Sequence, residues 1–123
     1  MNSLKDEVER LERSGHRLET VEENGCTLLI FPIWHLPAGY NKASTRLLLR
    51  IPKSYPFGKP DMFWTDPDLR LANGSLPRQT SSEQVLGAPW LRFSWHPAKW
   101  DPARDNLRVF LGFVDTGLMK ARS

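Results

Sequence analysis

Ser94 and His96 are the residues best spaced for chemistry in this chain. They lie in the stretch Pro89–Pro102, which also carries three of the five tryptophans. A serine hydroxyl becomes a useful nucleophile when a neighbouring base takes its proton. Histidine, with a pKa near neutrality, is the usual base. In extended backbone, residues i and i+2 point to the same face, so hydroxyl and imidazole would come within reach. The reaction would be acyl transfer through a serine ester. The structural alternative is a serine that caps a turn and a histidine packed in a loop. Asp66 and Asp68 could orient His96 or a lysine amine, or could shape a turn. Arg92, together with backbone N–H groups of the loop, could steady an oxyanion. Trp90 and Trp95 fit either the core or a partner surface, tryptophan being enriched at binding hot spots. Tyr55 and Phe57 join them as candidate partner-binding residues.

Other chemistries find less support. Cys26, the one cysteine, reads as a small buried apolar residue. His16, His35 and His96 are scattered without ligand spacing, so no metal is expected. No Walker-type glycine loop is present, so no ATP site and no cofactor are expected.

The elements that must hold this stretch follow from periodicity. Ser3 is a good N-cap for a first helix, with Asp6 placed to reach back as in a capping box. Leu4, Val8 and Leu11 make its apolar stripe, and Gly15 ends it. His16–Val21 alternates weakly and predicts a strand. Asn24-Gly25 signals a two-residue hairpin turn. Thr27–Trp34 is nearly continuous in apolar residues and predicts a strand buried on both faces or at the centre of the sheet, with Pro32 marking a bulge or edge. Thr45–Ile51 is a third strand and Asp61–Thr65 a short fourth. Between them Pro52–Pro60 holds three prolines and a glycine in nine residues, which rules out helix and regular strand. Asp66–Gly87 reads as irregular. Asp101 as N-cap and Pro102 at the first helical position predict a helix after Trp100, its apolar face being Ala103, Leu107, Phe110, Leu111, Val114 and Leu118. The expectation is an α+β fold: an N-terminal helix, a four-stranded antiparallel meander, a long loop bearing the site, and a C-terminal helix.

Composition narrows the partners. At 123 residues the chain reads as one domain, residues 1–123. Apolar residues at 40% and charged residues at 25% are ordinary for a globular protein. The net charge of +3 comes from scattered basic residues, not from the clustered patch of a nucleic-acid binder. No run approaches the roughly 18 apolar residues of a membrane span, and the charged N-terminus does not read as a signal peptide. A single cysteine cannot form an internal disulfide, which fits a reducing, cytoplasmic compartment.

Three motifs, in order, carry a family resemblance: Tyr55-Pro-Phe-Gly-Lys-Pro60 before a short apolar strand, Asp66-Pro67-Asp68, and Trp100-Asp-Pro-Ala103. They resemble the Tyr-Pro-x-x-x-Pro, His-Pro-Asn and Trp-Ser-Pro-Ala segments of the ubiquitin-conjugating (UBC) superfamily. The runs Pro60-Asp-Met-Phe-Trp64 and Trp90-Leu-Arg-Phe-Ser-Trp-His96 are similar to those of its bacterial members grouped as prokaryotic family E. The resemblance implies a UBC-like fold and a place in a bacterial ubiquitin-like modification pathway. It further implies a ubiquitin-like protein and an activating enzyme as partners, with a JAB-type peptidase in the same pathway. It spans about residues 3–118. The departures bear on mechanism. No cysteine lies between Asp66 and Trp100, where the superfamily carries its thiolate. Asp68 replaces the asparagine that would stabilise an oxyanion. Cys26 is expected far from the loop. Asn73-Gly-Ser-Leu76 resembles the segment before the missing cysteine, which makes Ser75 a weaker nucleophile candidate or a turn serine. The resemblance therefore implies a conjugating-enzyme-like protein that works through a serine oxyester, or a catalytically inactive UBC-like binding module.

Overall fold

The computed structural model describes residues 3–122. The order is α1 (Leu4–Arg13), β1 (Glu19–Glu23), β2 (Cys26–His35), β3 (Ser44–Ile51), β4 (Phe63–Thr65), β5 (Thr80–Val85), β6 (Ala88–Phe93) and α2 (Leu107–Lys120). The strands form one antiparallel sheet in the order β1-β2-β3-β4-β6-β5. The α+β class and the first four meander strands agree with the sequence. The count of four strands does not: β5 and β6 extend the sheet. The polar run expected to be irregular is β5, and the first part of Pro89–Pro102 is β6 rather than loop.

The missed hairpin turns at Leu86-Gly87, with Val85 opposite Ala88. Both turn residues have positive φ, 54° and 73°, the geometry that Asn-Gly usually marks. Asn24-Gly25 does mark it, at φ 51° and 82° between Glu23 and Cys26. A leucine in the left-handed region gives no such signal.

Side chains sort by strand parity onto two faces. On one face Leu29, Phe31, Leu49, Phe63 and Phe93 pack under α2 and α1, against Phe110, Val114, Leu118 and Leu11. Gly117 allows α2 this approach: a Cβ there would lie 3.1 Å from the Phe63 ring. Among the described residues no helix covers the other face, yet Leu28, Leu48, Trp64, Val85 and Trp90 are buried there. The guanidinium of Arg46 lies 4.2 Å from the centre of the Trp90 ring, and that of Arg50 lies 4.7 Å from Trp64. Arginine guanidinium groups laid over tryptophan faces shield the rings from water and gain from the ring quadrupole. β2 is thus buried on both faces, as its apolar run predicts. Its register shifts between Phe31 and Trp34, around Pro32.

The helix ends divide. Ser3 caps α1, its Oγ accepting the Asp6 N–H at 3.2 Å, and Gly15 leaves it at φ 103°. Asp101 does not open α2. It caps an isolated turn, its carboxylate accepting the Ala103 N–H at 3.0 Å and its carbonyl the Asp105 N–H at 2.7 Å. Asn106, extended at φ −150°, is the true N-cap and accepts the Val109 N–H. Ala103 consequently sits on an exposed turn and not on the helix's apolar face.

Candidate functional site

Two irregular segments face each other beside the β4 and β6 ends. The first is the proline-rich segment, where turns bond Tyr55 N–H to Pro52 O and Gly58 N–H to Ser54 O. Gly58 packs closely there, since a Cβ would meet the Ser54 hydroxyl and displace it. The Tyr55–Pro56 peptide is cis. The second segment follows Phe93. Three contacts join them: Trp100 Nε1–H donates to Pro56 O at 2.7 Å, Lys59 Nζ donates to Pro97 O at 3.1 Å, and His96 Nδ1 lies 2.8 Å from Asp61 Oδ1. Tyr55 packs against Trp100 and donates its hydroxyl to Glu7 of α1. Burial, then the Glu7 carboxylate, raise the Tyr55 pKa well above its ordinary value. Phe57 projects from the segment, 72% exposed.

Asp61 is the residue the sequence reading missed. A carboxylate that accepts Nδ1–H fixes an imidazole's tautomer and leaves Nε2 with the free lone pair. The signal was register: Phe63, the first residue of β4, pairs with Phe93, the last of β6, so Asp61 enters β4 at the same end of the sheet where His96 leaves β6.

Ser94 follows β6 directly. Its N–H donates to Gln79 O at 2.9 Å, and its half-buried hydroxyl makes no hydrogen bond among the described residues. Ser94 and His96 are two residues apart on the chain but are not hydrogen-bonded to each other; the imidazole turns to Asp61 instead.

Asp66 and Asp68 are elsewhere, gripping the chain's own lysine. Lys42 Nζ lies 3.3 Å from Asp66 and 2.7 Å from Asp68. Asp66 also accepts the Arg46 N–H and pairs with the Arg46 guanidinium. Burial opposes ionisation of Asp66, yet Arg46 and Lys42 outweigh it and hold the carboxyl below its ordinary pKa. Lys42 likewise lowers that of Asp68. The expectation that these carboxylates orient His96 is therefore corrected: the cations nearest them take them first. Arg92 is not aimed at an oxyanion either, since its guanidinium lies 3.3 Å from Glu83. Ser75 sits in an exposed Asx turn, its N–H on Asn73 Oδ1 at 2.9 Å.

Trp90, which fitted either the core or a partner surface, is 3% exposed and belongs to the second core, so it is corrected as a partner-binding candidate. Trp95 is half-buried, donating Nε1–H to Arg78 O at 3.1 Å. Cys26 is half-buried. It lines a cavity of about 170 Å³ with Arg50, Pro52, Lys59, Asp61, Met62 and Trp64. Among the described residues no group of His, Cys, Asp and Glu could hold a metal ion, and no helix is long and apolar enough to cross a membrane.

A family model matches nearly the whole described chain, residues 4–121. The chain belongs to prokaryotic E2 family E. Neither the curated proteins nor the solved structures gave a match. Membership in this E2-like family gives the chain a conjugating-enzyme-like role in a ubiquitin-like pathway. The family E fold seen here keeps an N-terminal helix, an antiparallel sheet and a C-terminal helix, with the β5–β6 hairpin set between β4 and α2.

Proposed function

We propose that this family E protein receives the activated C-terminus of a ubiquitin-like protein at the crease between Asp61 and His96, with Ser94 as acceptor. The observation that carries the reading is the Asp61–His96 contact beside a serine whose hydroxyl is uncommitted. Asp61 acts as a positioning residue that presents His96 Nε2 as base. Ser94 Oγ gives its proton to the imidazole and attacks the carbonyl carbon of the thioester delivered by an activating enzyme. The new C–O bond forms, the C–S bond breaks, and the departing thiolate takes the proton back. The step requires Ser94 and His96 to close on one another, directly or through one water. An oxyester is less reactive toward amines than a thioester, so the oxyanion needs donors; the backbone N–H groups of Trp95 and His96 fill that role, the Ser94 N–H being bonded to Gln79 and Arg92 being engaged by Glu83. Exposed Phe57 with Tyr55 behind it, and half-buried Trp95, form the partner-facing side. The setting is cytoplasmic, and a JAB-type peptidase acts downstream in the same pathway.

A second reading is favoured by the missing Ser94–His96 hydrogen bond and the missing cysteine: an inactive docking module for the ubiquitin-like protein or its activating enzyme. Intact mass after incubation with ATP, activating enzyme and ubiquitin-like protein from one genome separates them. A base-labile adduct on the wild type that is lost in Ser94→Ala, and weakened with a shifted pH profile in Asp61→Asn, supports acyl transfer. Co-elution without any adduct supports the docking module, and an adduct retained in Ser94→Ala refutes Ser94 as acceptor.

A further inference from the structure

The two edges of the sheet are built differently. β1 closes one side with the sequence Glu-Thr-Val-Glu-Glu, and three glutamates in five residues deter another strand from pairing. β5 closes the other side with Thr-Ser-Ser-Glu-Gln-Val. Its one charge does not guard the edge, because the Glu83 carboxylate accepts from Trp64 Nε1–H at 2.9 Å and pairs with Arg92 over the sheet face.

The register shows which backbone groups are free. Ser94 N–H bonds to Gln79 O, and Val85 pairs with Ala88 across the tight turn. Bonded pairs alternate along an antiparallel ladder. Gln79, Ser81, Glu83 and Val85 therefore turn N–H and C=O toward β6. Thr80, Ser82 and Gln84 turn theirs outward, and Ser82 and Gln84 are exposed. Pro89, opposite Gln84, confirms the parity, since it occupies a position that donates nothing to β5. Repeated every second residue, these outward groups present donor–acceptor pairs about 6.8 Å apart, a template for a seventh strand.

A cation stands at one end. Arg78 lies two residues before β5, with its N–H on Ala121 O at 2.9 Å and its own carbonyl accepting from Trp95 Nε1–H. Its backbone is held on both sides, while its exposed guanidinium has no partner among the described residues. The same end of β5 adjoins Ser94 through Gln79.

We infer that the free edge of β5 takes the extended C-terminal tail of the ubiquitin-like protein as an added antiparallel strand, the carboxylate of the not yet activated tail meeting Arg78. The inference rests on the reading that such a C-terminus is the ligand, and adds how it is held. Direction follows from the ends: β5 runs away from Arg78 and Ser94, so a tail ending beside them runs against it. Main-chain pairing supplies affinity with little demand on side chains. Charge selects the occupant. A second copy pairing through its own β5 would bring Arg78 no free carboxylate, because Glu83 is already engaged.

The test is a titration of the ¹⁵N-labelled chain with the ubiquitin-like protein of the same genome, full-length and with its last six residues removed. The expected result is that amide signals of Thr80, Ser82 and Gln84 move more than those of Ser81 and Glu83. Truncating the tail abolishes those shifts, and Arg78→Ala weakens binding about tenfold, as for loss of one charge-assisted contact. Ser82→Pro removes an outward N–H while sparing the ladder to β6, and abolishes docking. Binding that survives tail truncation, or shifts without the alternation, overturns the edge-docking inference and leaves the wider reading standing. Absence of any binding by the full-length partner overturns both. Shifts on β5 that depend on the chain's own concentration, without partner, assign the edge to self-pairing and overturn it as well.

Discussion

Replacing Glu7 tests whether the site is assembled from the first helix. The carboxylate projects from α1 and accepts the Leu107 N–H at 2.9 Å through Oε1. Both of its oxygens also lie within 3.0 Å of the Tyr55 hydroxyl. Leu107 is the first residue of α2, whose first turn holds no acidic residue. Glu7 therefore supplies, from the far end of the chain, the negative charge and the acceptor that a helix N-terminus favours. It also holds Tyr55 against Trp100, and so sets the proline-rich segment that carries Phe57 and leads into Asp61. A hydrogen bond to a charged group contributes roughly 1.5–3 kcal/mol, and partial exposure puts these at the lower end. Glu7→Ala should cost about 2–3 kcal/mol, Glu7→Gln about 1, and Tyr55→Phe about 1. The Glu7–Tyr55 pair should show a coupling near 1 kcal/mol in a double-mutant cycle. Urea unfolding at constant m-value reads these differences. An independent readout is the Tyr55 phenol. With Glu7 gone, one of the two causes of its raised pKa disappears, and its ultraviolet titration should move toward the ordinary tyrosine value. A Glu7→Ala chain within 0.5 kcal/mol of wild type, or strictly additive Glu7 and Tyr55 effects, would refute the idea that this carboxylate ties the segments together.

Asp66 sets the acid limit: its pKa is lowered in the fold, so its contribution is complete above the unfolded value near 4 and is lost as pH falls through the lowered one. Asp66→Asn should cost about 1–2 kcal/mol at pH 7 and flatten the acid limb of stability against pH, measured by urea midpoints from pH 2 to 7. Asp115 behaves oppositely. Burial raises its pKa against the bond it accepts from Trp34 Nε1–H, so its contribution is full below the unfolded value and is lost as pH rises through the folded one. Asp115→Asn, which can keep the Trp34 bond, should stabilise the fold slightly at pH 7, by about half a kcal/mol, and remove the gain on acidification. Leu86→Asn should relieve the left-handed turn residue and add about 1 kcal/mol, read as a melting temperature a few degrees higher.

What the sequence made legible, and what it did not, divides by the range of the interaction. Leu28 and Leu29 announce a strand buried on both faces because burial is written into the residue itself. Asn24-Gly25 and Pro32 announce a turn and a bulge because they act on their own backbone. β5 escaped because an edge strand needs little apolar surface: Val85 alone is buried there, and Leu86 occupies a conformation its type does not advertise. The site escaped for a related reason. Met62, at φ 62°, turns the chain out of the sheet just before Phe63, so β4 starts two residues late and Asp61 is freed from the ladder to meet His96. Asp66 and Asp68 looked equally suited to that histidine, but Lys42 and Arg46, brought close by the β3–β4 pairing, claim them. A carboxylate's partner is the nearest cation in space, and only strand register decides which cation that is. The Ser94–His96 spacing was legible as a possibility of chemistry. Whether it is realised depends on how Asp61 holds the ring, a contact spanning 35 residues that no local pattern contains.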